Sequence, residues 1–358
     1  MRIVRYYPRA LVGDGGMTSA VRNWSQAMAR CGAEAVIAYD EGVSPPDEES
    51  VEWVQVRHAG RRGLKFPLGL EDVLEGTDLL VLHSGWTLRN VRAAAAARKL
   101  GVAYVLEPRG AYDPHIVARK RWLKRIWWAA WEKRLVHQAR AIHVFFESER
   151  EHLAALGYAG PVIVASNGRE VPKGDHWDGG SGGYILWLGR FDPEHKGLDL
   201  LLDAMRQLPP TERPDLRLHG PDWRAKKALV RRWIDERKLT DWVRVGDPVH
   251  GDQKHRMLVA AAGFVYPSRW DACPNSVLES VALGVPTLAT PYPLGRYFSD
   301  RGGALVAEAT PEGLAQGLRR LRGDDASAVG NKGAEVVRDE LGWDRVARIW
   351  LDQAEALS

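Results

Sequence analysis

The sequence predicts an α/β protein built as two Rossmann-like, doubly wound parallel-sheet domains facing across a cleft. Three observations lead there. Short β-like runs alternate with helical patterns through all 358 residues, which is the rhythm of strand–helix–strand units. Several runs are apolar throughout, such as Leu79-Leu80-Val81-Leu82, as suits strands covered on both faces. A stretch at 172–183, Pro-Lys-Gly-Asp-His-Trp-Asp-Gly-Gly-Ser-Gly-Gly, interrupts the rhythm with linker chemistry.

In chain order, strands are expected near 2–7, 34–38, 51–56, 78–83, 102–106, 141–145 and 162–165, with helices between them, among them 17–31 and 87–99. The segment 42–50, rich in Pro, Ser and acidic residues, reads as an exposed loop. Beyond the break, strands are expected near 184–188, 215–219, 242–245, 264–266, 286–289 and 304–306. The domains are therefore drawn as 1–171, a linker at 172–183, a second domain at 184–338 and a last helix over 339–358. Ligands of such sheets bind beyond the carboxyl ends of the strands, and the search for chemistry starts in those loops.

Composition narrows the class. Hydrophobic residues at 45% and charged residues at 27% describe an ordinary globular chain rather than a disordered one. A net charge of +4 suits an anionic ligand or surface but is too small to argue for nucleic acid. The two cysteines, Cys31 and Cys273, are far apart and form no zinc pattern, so a structural zinc site is not expected. A reducing cytoplasm fits that usage. The opening Met-Arg-Ile-Val-Arg-Tyr-Tyr-Pro lacks the apolar run of a secretion signal.

Three loops carry candidate chemistry. After the first strand comes Gly13-Asp14-Gly15-Gly16-Met17-Thr18, whose glycines permit close backbone approach to a ligand at a helix N-terminus. The spacing is not GxGxxG, which disfavours a dinucleotide. The second domain opens with Gly189-Arg190-Phe191-Asp192-Pro193-Glu194-His195-Lys196-Gly197. Arg190 and Lys196 there can neutralise a diphosphate leaving group without a metal. The third loop and its helix span 267–286, with Asp271 in the loop and Glu279 on the helix. Such carboxylates accept hydrogen bonds from vicinal hydroxyls. Asn275 or Ser276 is the expected N-cap, with Gly284 closing the helix.

Together these loops resemble the family 4 retaining glycosyltransferases of the GT-B fold, glycosyl transferases group 1. The resemblance rests on Gly15-Gly16, Asn167-Gly168, Gly189-Arg190 with Lys196-Gly197, Gly220-Pro221-Asp222-Trp223, the Asp271/Glu279 spacing, and a last helix from about Trp343. It implies transfer of a sugar from a UDP- or GDP-linked donor to a glycan, lipid-linked or small-molecule acceptor, by metal-independent front-face displacement. It implies that the last helix crosses back to the first domain. It assigns Arg190 and Lys196 to the donor diphosphate, Glu279 to the ribose, and Asp271 with the loop amides through Asn275 and Ser276 to the donor sugar. Gly189 opens the loop of Arg190 and Lys196, and Gly16 approaches the phosphate. Two departures stand out: Asp271 replaces a Glu, and Arg109 occupies a position where the family commonly has His. Arg cannot act as a base at ordinary pH but can bind phosphate or an acidic group, so Arg109 joins the catalytic candidates. His83, at a strand end, is a structural or functional residue of the first domain.

Residues 118–136 hold seven Lys/Arg around four Trp. One reading is an amphipathic helix with its tryptophans in the core and its cations in water. Another is peripheral contact with an anionic membrane at the inner face. No RNA-binding motif accompanies the run. Rivals to a transferase on this scaffold are a sugar-nucleotide epimerase, a sugar phosphorylase and a non-catalytic binding protein.

Overall fold

A computed structural model describes residues 1–10, 16–41, 50–60, 65–174 and 176–357. The chain divides into two compact units: 1–168 with 343–358, and 169–342. The first unit runs β1 (Arg2–Ala10), α1 (Gly16–Arg30), β2 (Glu34–Glu41), β3 (Glu52–Gln55), β4 (Arg57–Ala59), β5 (Phe66–Leu68), α2 (Leu70–Leu74), β6 (Leu79–His83), α3 (Leu88–Lys99) and β7 (Ala103–Glu107). It continues through α4 (Pro114–Ala118), α5 (Arg121–Trp127), a π-helical turn (Trp128–Glu132), α6 (Lys133–His137), β8 (Ala141–Val144), α7 (Arg150–Ala154) and β9 (Val162–Val164).

The second unit contains β10 (Tyr184–Leu188), α8 (Leu198–Gln207), β11 (Asp215–His219), α9 (Lys227–Glu236), β12 (Val243–Gly246), α10 (Gly251–Val259), β13 (Gly263–Tyr266) and α11 (Asn275–Ala282). It closes with β14 (Thr287–Ala289), α12 (Pro293–Ser299), β15 (Leu305–Val306), α13 (Pro311–Arg320) and α14 (Ala326–Glu340). The last helix, α15 (Trp343–Glu355), belongs to the first unit.

Each unit holds one main parallel sheet. The first has the order β3-β2-β1-β6-β7-β8-β9, the second β12-β11-β10-β13-β14-β15. The first is covered on both faces: Val4 and Tyr6 of β1 enter one apolar cluster and Tyr7 the other, following the two-residue period of a strand. The apolar runs of the sequence form these strands because both faces need apolar cover. In the second unit Leu198, Leu201, Leu202 and Met205 bury one stripe of α8, the spacing of a core-facing helix. The short antiparallel pair β4–β5 is additional to the strands expected from the sequence.

Two sequence expectations need correction. The glycine-rich stretch 172–183 is bonded into the second unit: Trp177 donates from its backbone to Leu283 and from its indole to Ala261, and Gly182 donates to Ala260. Residues 118–136 do not form one helix. Arg119 is extended, Lys120 adopts a left-handed φ of 51°, and the π turn inserts one extra residue before α6. Nor are its tryptophans all in the core, since Trp122 is 66% exposed and Trp131 is exposed too. Among the described residues no helix is long and apolar enough to cross a membrane.

α15 is fastened to the first unit by aromatic packing. Trp350 is fully buried and Trp343 meets Trp24 edge-on at 5.7 Å. The guanidinium of Arg5 lies 5.3 Å from the Trp24 ring and 5.7 Å from the Trp350 ring, a cation held between two π faces.

Candidate active site

In the second sheet the chain leaves β10 towards β11 and β12, then returns to the other side of β10 at β13. The reversal leaves a crevice beyond the carboxyl ends of β10 and β13, the place where doubly wound sheets bind ligands. The loops 189–197 and 267–274 both start there. They touch at Gly197, where a Cβ would sit 1.9 Å from the carbonyl oxygen of Pro267. With φ at 64° and no room for a side chain, only glycine serves at this position.

That contact brings Lys196 to Asp271. The Lys196 ammonium lies 2.5 Å from Asp271 Oδ2 and 5.2 Å from the centre of the Tyr266 ring. Tyr266, the last residue of β13, donates its hydroxyl to the same oxygen at 3.1 Å. Burial opposes a charge on Asp271, but Lys196, His195 and these two hydrogen bonds outweigh it and hold the carboxyl below its usual range. Asp271 is therefore a fixed carboxylate at neutral pH. Tyr266 and Tyr292 are raised well above the usual phenol range, by burial first and by Asp271 next. They remain neutral O–H groups, and the buried Tyr292 hydroxyl has no hydrogen-bond partner.

The rest of the first loop is shaped around Arg190. Its guanidinium sits 4.4 Å from the Trp223 ring centre. The Gly220-Pro221-Asp222-Trp223 turn approaches so closely that a Cβ on Gly220 would lie 1.7 Å from the Gly189 carbonyl. Phe191 donates its amide to Pro221, and Asp192 pairs with Lys226 at 3.0 Å. His195 stacks on Trp270 at 4.8 Å and donates Nε2–H to the Trp270 carbonyl at 2.7 Å. Burial, then the charge of Lys196, lowers His195 to about 4, so its ring is neutral and acts as a strut.

α11 begins at Asn275. Pro274 occupies the cap position without a side-chain bond, so neither Asn275 nor Ser276 is the N-cap; the proline's fixed φ of −70° suits the turn into the helix. The Val277 and Leu278 amides of its first turn bond the Pro274 carbonyl, so the helix dipole is what this end offers an anion. One turn further on, Glu279 binds Lys254 of α10 at 2.8 Å and Arg169 at 3.3 Å. Leu283 caps the helix and Gly284 follows at φ 79°.

The remaining candidates lie in the first unit. Gly15 falls outside the described residues, and Gly16 is the first residue of α1. Arg109 follows β7 with a left-handed φ of 51°, an uncommon conformation for a residue with a side chain. Its guanidinium is buried 2.6 Å from Glu107 Oε1. The other oxygen of Glu107 lies 3.2 Å from Arg5, 3.1 Å from His83 Nδ1 and 3.6 Å from His143. Burial opposes the charge of Glu107, but Arg109, His83 and His143 hold it well below the usual range. Burial also lowers His83 to about 4, so it is a neutral member of this cluster.

The structure thus gathers Gly189, Arg190, Lys196, Asp271, Asn275, Ser276 and Glu279 in the second unit and sets Arg109 in a separate charge cluster of the first. Sequence reading missed Tyr266, His195, Tyr292, Lys254 and Arg169. Tyr266 ends an apolar strand and reads as core; Lys254 and Arg169 lie 25 and 110 residues from Glu279, beyond any local motif. Among the described residues no group of three or more His, Cys, Asp or Glu converges to hold a metal ion.

Comparison with known proteins follows the same division. Residues 15–168 match the glycosyl transferase 4-like domain, and residues 182–324 match glycosyl transferases group 1. Sucrose-phosphate synthase from Thermosynechococcus elongatus is similar in structure, with a TM-score of 0.77 and 17% identity over 100% of this chain and 99% of that one. HepE of Anabaena in complex with UDP-glucose gives a TM-score of 0.77 at 14% identity, over 100% and 99% of the two chains. WaaG, a glycosyltransferase involved in lipopolysaccharide biosynthesis, gives 0.70 at 13%, over 99% and 98%. No curated protein matches by sequence similarity. With both halves of the chain matched and the two parallel sheets of GT-B glycosyltransferases in place, the chain belongs to the glycosyl transferases group 1, the family 4 type, and transfers glycosyl groups.

Proposed function

We propose that the protein is a retaining hexosyltransferase that takes its sugar from a nucleoside-diphosphate donor without a metal ion, the first unit receiving the acceptor. The observation that carries this reading is the placement of Arg190, Lys196 and Asp271 at the reversal point of the second sheet. Arg190 and Lys196 meet the diphosphate charge as it grows on bond cleavage. The dipole of α11 adds to that field. Glu279, one turn along, accepts from the ribose hydroxyls once Lys254 or Arg169 yields. Asp271 faces the donor sugar as an acceptor of hydroxyl hydrogen bonds. Two solved relatives, HepE with UDP-glucose and TarM of S. aureus with UDP, carry such donors or products, which favours UDP over GDP.

The same geometry favours retention. Asp271 is pinned by Lys196 and Tyr266 with its pKa depressed, so it is a poor base and a poor nucleophile. His195 is neutral, but it is stacked and bonded to Trp270. The acceptor proton then passes to an oxygen of the departing phosphate as the C1–O bond to phosphate breaks and the acceptor oxygen bonds C1 on the same face. A thermal-shift panel of UDP, GDP, ADP and their sugars on wild type and Glu279→Ala tests the donor site. At about 100-fold excess over Kd, binding stabilises by about 2.7 kcal/mol. A shift with one nucleotide class, lost in the variant, is expected; no shift with any of them would turn the reading to a non-catalytic binder. Product anomer analysis by NMR tests retention.

A further inference from the structure

The face built by α4, α5, the π turn and α6 takes no part in the donor site, yet it carries exposed apolar side chains and exposed cations side by side. Trp122 is 66% exposed, Ile126 60%, Leu123 44% and Trp131 41%. These four large apolar groups sit among the exposed cations Arg119, Lys120, Arg121, Arg125, Lys133 and Arg134. Single exposed apolar residues are ordinary, but a cluster of them ringed by one sign of charge marks an interaction surface.

The fold builds this face deliberately. The one carboxylate in the stretch, Glu132, is fully buried and points inward. It accepts hydrogen bonds from the Trp86 amide at 2.8 Å, the Tyr112 hydroxyl at 2.7 Å and the Trp127 indole at 2.9 Å. The π turn, Trp128–Glu132, places it there, and Lys124 reinforces the seat by lying 5.1 Å from the Trp86 ring. The anchor turns this carboxylate away from the outer surface, and α5 presents Trp122, Leu123 and Ile126 to solvent.

We infer that this face docks the protein on an anionic lipid bilayer, with Trp122, Leu123, Ile126 and Trp131 entering the headgroup–acyl boundary and the surrounding Lys and Arg lying against lipid phosphates. Indole rings and long cationic side chains share that preference: an apolar body in the interface and a polar tip in water. A nucleic acid would satisfy the cations but offer the aliphatic side chains no apolar medium. The inference stands apart from the donor reading, since none of these residues belongs to that site.

Vesicle flotation of the full chain tests it. Vesicles of phosphatidylcholine with phosphatidylglycerol should carry the protein up the gradient at low salt, and phosphatidylcholine alone should not. Salt near 0.5 M should weaken the binding. Trp122→Glu/Ile126→Glu should abolish it. Arg121→Ala/Arg125→Ala should weaken it about 30-fold, at the usual contribution of a cation near an anionic surface. All four positions are exposed, so both variants should melt like wild type and keep its nucleotide response. Failure to float at low salt, equal binding to the neutral vesicles, or wild-type flotation by the apolar variant would overturn the inference. So would a solution dimer that Trp122→Glu/Ile126→Glu dissolves, since the face would then cover a second copy.

Discussion

Replacing Lys196 by Met tests whether the centre of the donor site is a charge pair rather than two neighbours. The substitution keeps the length and apolar stem of the side chain but leaves Asp271 with only the Tyr266 hydroxyl at 3.1 Å. Breaking a buried pair from one side costs about 3–5 kcal/mol. The Asp271 side chain keeps 20% of its exposure, so the low end, about 3 kcal/mol, applies here. The sign follows from the titration. In the wild type the carboxyl sits below its usual 3.8, so the pair stabilises the fold above about pH 4 and loses that contribution as pH falls through the native pKa. In the variant, burial without Lys196 pushes the carboxyl up, and the deficit is widest near pH 8 and narrows towards pH 4. Asp271→Asn added to Lys196→Met should recover about 2 kcal/mol of the loss near pH 8, because no uncompensated charge remains. Urea unfolding of the single and double variants across that range is the assay. A double variant as unstable as the single one, or a deficit that does not change with pH, would refute the charge-pair argument. Neither variant should show a nucleotide-induced thermal shift.

Other positions give independent checks. Glu149 accepts the Phe145 and Phe146 amides, and burial raises it to about 7 from a usual 4.5. A raised carboxyl stabilises the fold below the usual value and loses that as pH rises towards the native one, so wild type should lose about 3 kcal/mol relative to Glu149→Gln between those pH values; parallel stability curves would contradict this. Trp350→Ala should destabilise by about 3–5 kcal/mol, because the ring is fully buried and supports Arg5, whereas Ile349→Ala, exposed on the same helix, should stay within about 0.5 kcal/mol; calorimetry compares them. Gly197→Ala should abolish the nucleotide shift even where the fold survives, since its Cβ forces the loops of Lys196 and Asp271 apart.

Most of the sheet framework was legible in the residues. Strands such as Leu79–His83 and Tyr184–Leu188 are continuous apolar runs because both faces of a parallel sheet are covered. The β4–β5 pair was not legible: Arg57-His58-Ala59 and Phe66-Pro67-Leu68 are too short to show a period. The π turn was hidden for a different reason. Residues 121–137 carry a passable helical pattern, and two of the donors that Glu132 meets within that turn, Trp86 and Tyr112, are 46 and 20 residues away. At the site, sequence supplied the charged groups but not their pairing. Lys196 and Asp271 are 75 residues apart, and what joins them is the strand order together with the side-chain-free contact of Gly197.

The two departures from the family pattern share one physical feature. Each non-standard side chain is held by an opposite charge within its own unit. Asp271, one methylene shorter than Glu, is fixed between Lys196 and Tyr266. Arg109, in place of His, is fixed by Glu107, which it helps to keep ionised. A histidine at 109 would leave Glu107 with one permanent cation, Arg5, and with His83, whose ring burial keeps neutral. Arg109 therefore completes the charge balance of a buried cluster that also contacts Trp24 and Trp350 through Arg5 and His143. On this view Arg109→His should cost stability of the first unit and the seating of α15 before it changes any chemistry. Arg109→Lys, which keeps the charge, should retain most of that stability. The opposite outcome, a stable Arg109→His with altered donor or acceptor turnover, would return Arg109 to the reacting centre.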